Sequence, residues 1–178
     1  MARDDITYIP QSTILTRAGA ELRYPVTIAD LKTGHRYTKD LIPDAVFGLR
    51  YHTEAGDRFR FFAVEADRAT EPATTTNFNR KSFLRNLLQY EAYVAGAAYR
   101  EHLGLTAPLM VLNVLSDGKR MERMVEFTTK RYPQGNAFML FQAWEDFGVV
   151  FRPPEPRPAL LTGDWARGGL RPFHIDKS

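Results

Sequence analysis

Two apolar runs, RFRFFAVEAD (58–67) and APLMVLNVL (107–115), constrain the fold more than any other feature of the sequence. In the first run Phe61 and Ala63 share one face of a strand while Phe62 points to the other, so both faces are expected to be covered and the strand to be central. The second run is almost continuously apolar, which is typical of a buried parallel strand reached by a helical crossover. Together they predict an α/β fold with a mixed central sheet flanked by helices.

Hydrophobic periodicity predicts further helices and strands around these runs. The longest is a helix that starts after the capping segment TTTN (74–77) and ends at Gly104, because apolar residues recur at helical spacing throughout it. A second helix over 121–128 is ended by Pro133 and Gly135. The remaining predicted elements are a short helix at 14–22, strands at 26–31 and 39–52, and a strand at 137–144.

Length and composition indicate one domain. A chain of 178 residues, 44% of them apolar, can bury one core, and we assign that domain to residues 1–151. Residues 152–178 carry so many prolines and glycines that an irregular tail on the surface is expected. Disulfides and thiolate metal sites are excluded because the chain has no cysteine. Without a signal-peptide pattern or an apolar run of about 18 residues, we expect no membrane association and a cytoplasmic location.

The distribution of charge and the missing motifs narrow the function further. A formal net charge of +3 does not by itself separate a nucleic-acid-binding protein from an ordinary enzyme. Basic residues occur in clusters, and each cluster is typical of either a phosphate-binding surface or a solvated helix face. The clusters are Arg80, Lys81 and Arg85; Lys119, Arg120 and Arg123; Lys130 and Arg131; and Arg152, Arg157, Arg167 and Arg171. The histidines show no metal-ligand spacing. The sequence also has no Gly-rich nucleotide loop and no G-x-S-x-G elbow, which argues against nucleotide-dependent and serine-hydrolase chemistry.

An acidic constellation lies on two neighbouring predicted strands. Asp44 follows Pro43 at the start of one strand segment, and Glu65 and Asp67 lie on the next. Side chains two residues apart on a strand point to the same face, and hairpin pairing can bring Asp44 beside them. Two carboxylates about 4 Å apart repel by roughly 1 kcal/mol in bulk water and about 4 kcal/mol at an effective dielectric constant of 20. Such a cluster requires a proton, a basic partner or a divalent ion, and Mg²⁺ suits carboxylate oxygens best.

Three segments carry a resemblance to a known family. PDAVFGL (43–49), FFAVEADRATEP (61–72) and NRKSFLRNLLQYEAY (79–93) resemble the replication-relaxation family of plasmid-associated proteins, whose core is similar to that of the PD-(D/E)xK nucleases. The resemblance covers most of residues 41–115. It implies a restriction-endonuclease-like core, DNA as a partner, and a replication or mobilisation protein as a second partner.

The resemblance also implies roles for individual residues. In the nuclease superfamily the Asp of PD and the acidic residue of the next strand bind the metal, which assigns Asp44 and Glu65 as ligands of Mg²⁺. A lysine two residues later helps to activate the attacking water, but this chain has Asp67 at that position. Some relatives supply the basic residue from the following helix, where Lys81 is the candidate. The implied catalytic set is therefore Asp44, Glu65, Asp67 and Lys81.

The helix after the acidic strand supplies candidate DNA contacts. Gln89 and Tyr93 form a Q-x-x-x-Y spacing, which is similar to a helix motif in the nuclease domains of recombination helicases. We expect them to contact DNA together with Arg80, Lys81 and Arg85. Members of the resembled family often carry a winged-helix domain ahead of this core, for which this chain has no room, so we expect oligomerisation or a partner protein to take its place.

Three functions stay open. The first is Mg²⁺-dependent cleavage of DNA phosphodiesters. The second is a catalytically inactive DNA-binding or protein-interaction module that retains the nuclease fold, which Asp67 at the usual lysine position favours. The third is a structural domain in which Asp44 only starts a strand and the other two carboxylates form an ion network with Arg60, Arg68 or Lys81.

Overall fold

The chain forms both strands and helices in this computed structural model, which describes residues 4–30, 32–67, 72, 78, 82–145, 147, 152 and 155–177. The strands are β1 (Ile6–Ile9), β2 (Tyr24–Ala29), β3 (Arg36–Leu41), β4 (Ala45–Thr53), β5 (Gly56–Asp67), β6 (Leu109–Leu115), β7 (Met139–Ala143), β8 (Trp165–Arg167) and β9 (Leu170–Phe173). The helices are α1 (Gln11–Ala18), α2 (Phe83–Tyr90), α3 (Ala98–Leu103), α4 (Gly118–Arg131) and α5 (Ala159–Thr162), with a π-helical turn at Glu91–Ala95. None of the helices in these ranges is long and apolar enough to cross a membrane.

The central sheet is mixed, as the sequence predicts. Its strand order is β1-β4-β5-β6-β7-β8-β9, and β2 and β3 form a separate hairpin. Strands β5, β6 and β7 run parallel, whereas β1, β4 and β5 on one side and β7, β8 and β9 on the other pair antiparallel. The helical crossovers that parallel pairing requires lie between β5 and β6 and between β6 and β7. The α/β class with a mixed sheet and flanking helices is therefore confirmed.

Strand β5 is central and buried on both faces. Phe61 and Ala63 belong to a core cluster that includes buried residues of α1, α2, α3 and α4. Phe62 points to the opposite face and belongs to a second cluster with Trp165 and Ile175. Helices α1 to α4 thus cover one face of the sheet, and the C-terminal segment packs on the other.

The segment predicted as one strand over 39–52 is divided. Strand β3 ends at Leu41 and belongs to the hairpin with β2, whereas β4 begins at Ala45 in the central sheet. Pro43 lies in the break, and its lack of a backbone N–H prevents it from continuing a ladder. Asp44 therefore lies at the point where the chain enters the central sheet.

The long helix predicted up to Gly104 is interrupted. Its capping segment at 74–77 lies outside the described residues, and α2 is instead capped by Ser82, whose Oγ accepts a hydrogen bond from the Arg85 backbone N–H at 3.1 Å. After α2 the chain forms the π turn, and Ala97 then takes a left-handed conformation with φ of 57° before α3 begins. Gly104 ends α3, as predicted, and it does so in a left-handed conformation. The apolar spacing survives the interruption, so periodicity alone does not reveal it.

The other periodic segments agree better with their predictions. The strand expected at 26–31 is β2, the helix expected at 121–128 is α4, and the strand expected at 137–144 is β7. The helix expected at 14–22 starts and ends earlier, as α1, because Gly19 adopts a left-handed conformation and stops it.

The expectation of an irregular surface tail is wrong for residues 159–173. These residues form α5, β8 and β9, and β8 extends the central sheet by pairing with β7. Trp165 is only 1% exposed, and the hydroxyl of Tyr51 donates a hydrogen bond to the backbone oxygen of Ile175 at 2.5 Å. Strands β8 and β9, of three and four residues, are too short to produce a recognisable hydrophobic alternation. Pro172 is tolerated because β9 is an edge strand.

Trp165→Ala tests whether the C-terminal segment is part of the core. We expect the free energy of unfolding in urea to fall by about 3–5 kcal/mol, because a large buried side chain leaves a cavity. Leu161→Ala is the control, since Leu161 is 52% exposed on the same segment and should change stability by no more than about 0.5 kcal/mol. Equal, small effects of both substitutions would contradict the placement of Trp165.

Candidate functional site

The structure brings the three predicted carboxylates to one pocket. A depression of about 200 Å³ at the C-terminal end of β5 is lined by Asp44, Glu65 and Asp67, and we call it the acidic pocket. Arg85 and Gln89 of α2 also line it, together with other residues of the same helix and of the neighbouring strands. The period-two spacing of Glu65 and Asp67 and the antiparallel pairing of β4 with β5 explain this convergence.

Asp44 is held by the backbone of β5. Its own N–H donates to the Val64 oxygen at 3.0 Å, and its Oδ2 accepts a hydrogen bond from the Ala66 N–H at 2.8 Å. The carboxylate thus takes the place of a backbone acceptor where β4 begins, which fixes its position opposite Glu65. Asp44 is therefore both a strand-start residue and part of the acidic pocket.

Glu65 is held by a tyrosine of α2. The Tyr90 hydroxyl donates a hydrogen bond to Glu65 Oε1 at 2.5 Å, and Tyr90 itself is 0% exposed. Burial, followed by the negative charges of Glu65 and Asp44, raises the pKa of Tyr90 well above its usual value. The hydroxyl consequently keeps its proton and acts as the donor.

Asp67 has a basic partner that the sequence did not single out. Arg120, in the first turn of α4, donates from Nε at 2.9 Å and from Nη2 at 2.7 Å to the same Oδ2 of Asp67. The Arg120 side chain is only 8% exposed, so little water competes with this pair. Arg60, one of the predicted partners, instead stacks over the rings of Tyr51 and Phe173.

Two of the predicted DNA contacts lie inside the acidic pocket rather than on an exposed surface. Arg85 is buried, and its guanidinium donates to Gln89 Oε1 at 3.3 Å. Gln89 is also buried and donates to the backbone oxygen of Lys39 at 3.1 Å, which ties the β2–β3 hairpin to α2. The alternative that Arg85 lies on a solvated helix face is therefore wrong, and its contact with DNA stays a prediction.

Tyr93 is separated from Gln89, although residues four positions apart usually share one face of an α-helix. Its hydroxyl lies 2.7 Å from His102 Nδ1, and its ring packs against Tyr24. The π turn after Tyr90 changes the helical register, because its i→i+5 hydrogen bonds widen the turn. The Q-x-x-x-Y spacing thus does not form one face at the acidic pocket.

Arg80 and Lys81 lie outside the described residues, as does Arg68. The prediction that Lys81 supplies the displaced basic group therefore stays a prediction.

Sequence reasoning missed Tyr90, Arg120 and Asn113. Tyr90 continues the apolar stripe of α2 and reads as a core residue, and Arg120 reads as one member of a basic cluster. Asn113 gave a usable signal, because it is the one polar residue of β6 and a buried strand seldom accepts one. Its side-chain amide donates to the Leu140 oxygen at 3.2 Å, and it lies opposite Glu65 in the parallel register.

The donor set fits a magnesium ion held through few protein ligands. Among the residues that the structure describes, no group of three or more His, Asp and Glu side chains could hold a metal ion. Mg²⁺ nevertheless usually binds one or two carboxylates and completes its octahedron with water and phosphate oxygens. Asp44 and Glu65 supply two carboxylates, whereas Asp67 is engaged by Arg120.

Comparisons with known proteins give no match: no protein-family model, curated protein or solved structure matches this chain. The resemblance to the replication-relaxation family thus rests on the three sequence segments alone.

Arg120→Met tests the ion pair with Asp67. Removing the guanidinium takes two charge-assisted hydrogen bonds from a mostly buried carboxylate, so the free energy of unfolding should fall by about 2 kcal/mol. Arg123→Met is the matched control, because Arg123 is exposed on the same helix and should change stability by about 0.5 kcal/mol at most. Urea unfolding monitored by tryptophan fluorescence measures both, and equal losses would contradict the pair.

Proposed function

We propose that this chain is a DNA-associated protein with a restriction-endonuclease-like core, and that its acidic pocket cleaves DNA phosphodiesters with the help of Mg²⁺. The observation that carries the proposal is the meeting of Asp44 and Glu65 in one pocket, each held by its own hydrogen-bond donor. The resemblance to the replication-relaxation family supports the DNA partner and a setting in plasmid replication or mobilisation.

The arrangement of strands supports the nuclease-like core. Asp44 directly precedes β4, Glu65 lies two residues before the end of the antiparallel neighbour β5, and helices α2 and α3 then lead to the parallel strand β6. This order agrees with the resemblance, in which the Asp of PD and the acidic residue of the next strand bind the metal. The ligand positions in the proposal follow from this correspondence.

The residues of the pocket fit the binding of a phosphate beside a cation. Asp44 and Glu65 would hold Mg²⁺, which supplies Lewis-acid stabilisation of charge on phosphate oxygens. Arg85 lines the same pocket and would offset the charge of the phosphate through charge-assisted hydrogen bonds. Asp67 does not need the cation, because Arg120 already compensates its charge.

A second candidate function is a DNA-binding or protein-interaction module without catalysis. It is favoured by Asp67, which stands at the usual lysine position and is engaged by Arg120. Among the described residues that line the acidic pocket, none is a lysine. Catalysis therefore depends on a basic group from elsewhere, and Lys81 is the proposed source.

The first test measures metal-dependent cleavage. Purified protein is incubated with supercoiled and linear DNA in Mg²⁺, in Mn²⁺ and in chelator. We expect nicking or cutting only with a cation, and a loss of at least about 100-fold in Glu65→Gln, because a neutral amide is a poor ligand for a hard cation. Glu54→Gln is the matched control, since Glu54 is exposed in the turn between β4 and β5, outside the acidic pocket.

The outcomes of this test separate the candidate functions. Cleavage that Glu65→Gln abolishes and Glu54→Gln retains supports the nuclease. DNA binding without cleavage by all three proteins would favour the second candidate. The absence of both cleavage and DNA binding would leave only a structural or protein-interaction domain.

A second test addresses the predicted phosphate contacts. The double substitution of Arg80 and Lys81 by Gln should lower the slope of log Kd against log salt concentration by about 2, because each phosphate contact contributes about 0.9 to that slope. Replacing Arg17 and Arg58, both exposed and outside the basic clusters, by Gln provides a control with the same change in charge. An identical slope for the two double variants would contradict the assignment of Arg80 and Lys81.

A further inference from the structure

The hydrogen bond between Tyr90 and Glu65 joins the core of the protein to the acidic pocket. We infer that Tyr90 is a positioning residue, whose hydroxyl fixes the Glu65 carboxylate in the orientation that binds a divalent cation. The inference rests on the proposed function, because it concerns the same cation. It goes beyond that function by assigning a role to a residue that contacts neither the cation nor DNA.

The two proposed ligands differ in how much help they need. Asp44 has a short side chain that the Ala66 N–H holds directly at 2.8 Å. Glu65 has one more rotatable bond, so ordering its carboxylate costs more conformational entropy. A donor that orders the carboxylate before the cation arrives removes that cost from binding. The Tyr90 hydroxyl, 2.5 Å from Glu65 Oε1, is such a donor.

Tyr90 is itself held rigidly. It is fully buried in the core cluster on the helical face of the sheet, together with Leu87 of the same helix. Helix α2 starts at the Ser82 cap, so the distance along the helix from cap to tyrosine is fixed.

The π turn gives an independent reason to regard this helix end as functional. It begins at Glu91, directly after Tyr90, and π turns within helices are frequent at functional sites. Tyr90 precedes the turn and donates a hydrogen bond to Glu65 of the acidic pocket, whereas Tyr93 lies within the turn, packs against Tyr24 and has its hydroxyl 2.7 Å from His102 Nδ1. The two tyrosines are buried, hydrogen-bonded and close in sequence, but only one touches a proposed metal ligand.

This pair of tyrosines provides a matched experiment. Mn²⁺ binding to the full chain is measured by titration calorimetry for the unaltered protein, Tyr90→Phe, Tyr93→Phe and Glu65→Gln. Each Tyr→Phe change removes one hydroxyl and keeps the ring, and thermal unfolding of the metal-free proteins verifies that both variants fold. We expect Tyr90→Phe to raise the Kd for Mn²⁺ by 10- to 100-fold, as is typical when the partner of a metal ligand is lost, and Tyr93→Phe to leave it unchanged.

The possible results separate the inference from the proposed function. The inference and the proposed function are both supported if Glu65→Gln abolishes Mn²⁺ binding, Tyr90→Phe weakens it and Tyr93→Phe leaves it unchanged. Equal Kd values for Tyr90→Phe and the unaltered protein, with binding lost in Glu65→Gln, would overturn the inference and leave the proposed function standing. An unaltered protein that binds no Mn²⁺, or a Glu65→Gln variant that binds it normally, would overturn the proposed function.

If Tyr90→Phe does not fold, a measurement on the unaltered protein tests the positioning role of Tyr90. Tyrosines labelled with ¹³C at the ring carbon that carries the hydroxyl are observed by NMR during a Mg²⁺ titration. The Tyr90 resonance should shift as the cation draws charge from its acceptor Glu65, while the Tyr93 resonance stays in place. A titration that moves neither resonance, in a protein that calorimetry shows to bind the cation, would overturn the inference.

Discussion

The two-sided pairing of β5 is the constraint on which the rest of the structure depends. Antiparallel pairing with β4 places Asp44 beside Glu65. Parallel pairing with β6 places Asn113 opposite Glu65. Because α4 follows β6, the same pairing brings Arg120 close enough to bind Asp67. A slip of one residue would turn Glu65 and Asp67 to the opposite face, which the C-terminal segment covers. The buried side chains of Phe61 and Phe62, on opposite faces, oppose such a slip. The same apolar packing that stabilises the sheet therefore fixes the chemistry of its C-terminal end.

The protein accommodates three neighbouring carboxylates by giving each a different hydrogen-bond donor. A backbone N–H holds Asp44, a buried tyrosine hydroxyl holds Glu65, and a guanidinium holds Asp67. Of these three donors, only the guanidinium carries a full positive charge. In the proposed function a divalent cation binds on the side of Asp44 and Glu65.

The sequence predicts those features that depend on local spacing. Alternation in RFRFFAVEAD predicts β5 and the shared face of Glu65 and Asp67, and the apolar run before Asn113 predicts a parallel β6. Contacts between distant segments leave no such pattern: Arg120 and Tyr90 become site residues only because α4 and α2 pack on the same face of the sheet. The π turn preserves the apolar stripe while it changes the register, and β8 and β9 are too short for periodicity to detect.

Anomalous diffraction from crystals grown with Mn²⁺ tests the central claim most directly, because it locates a bound cation without reference to activity. The account predicts a strong anomalous peak in the acidic pocket, between the carboxylates of Asp44 and Glu65. Crystals of Glu65→Gln, grown under the same conditions, should lack it. A pocket without a peak in the unaltered protein, or a peak whose position and height do not change in Glu65→Gln, would contradict the account.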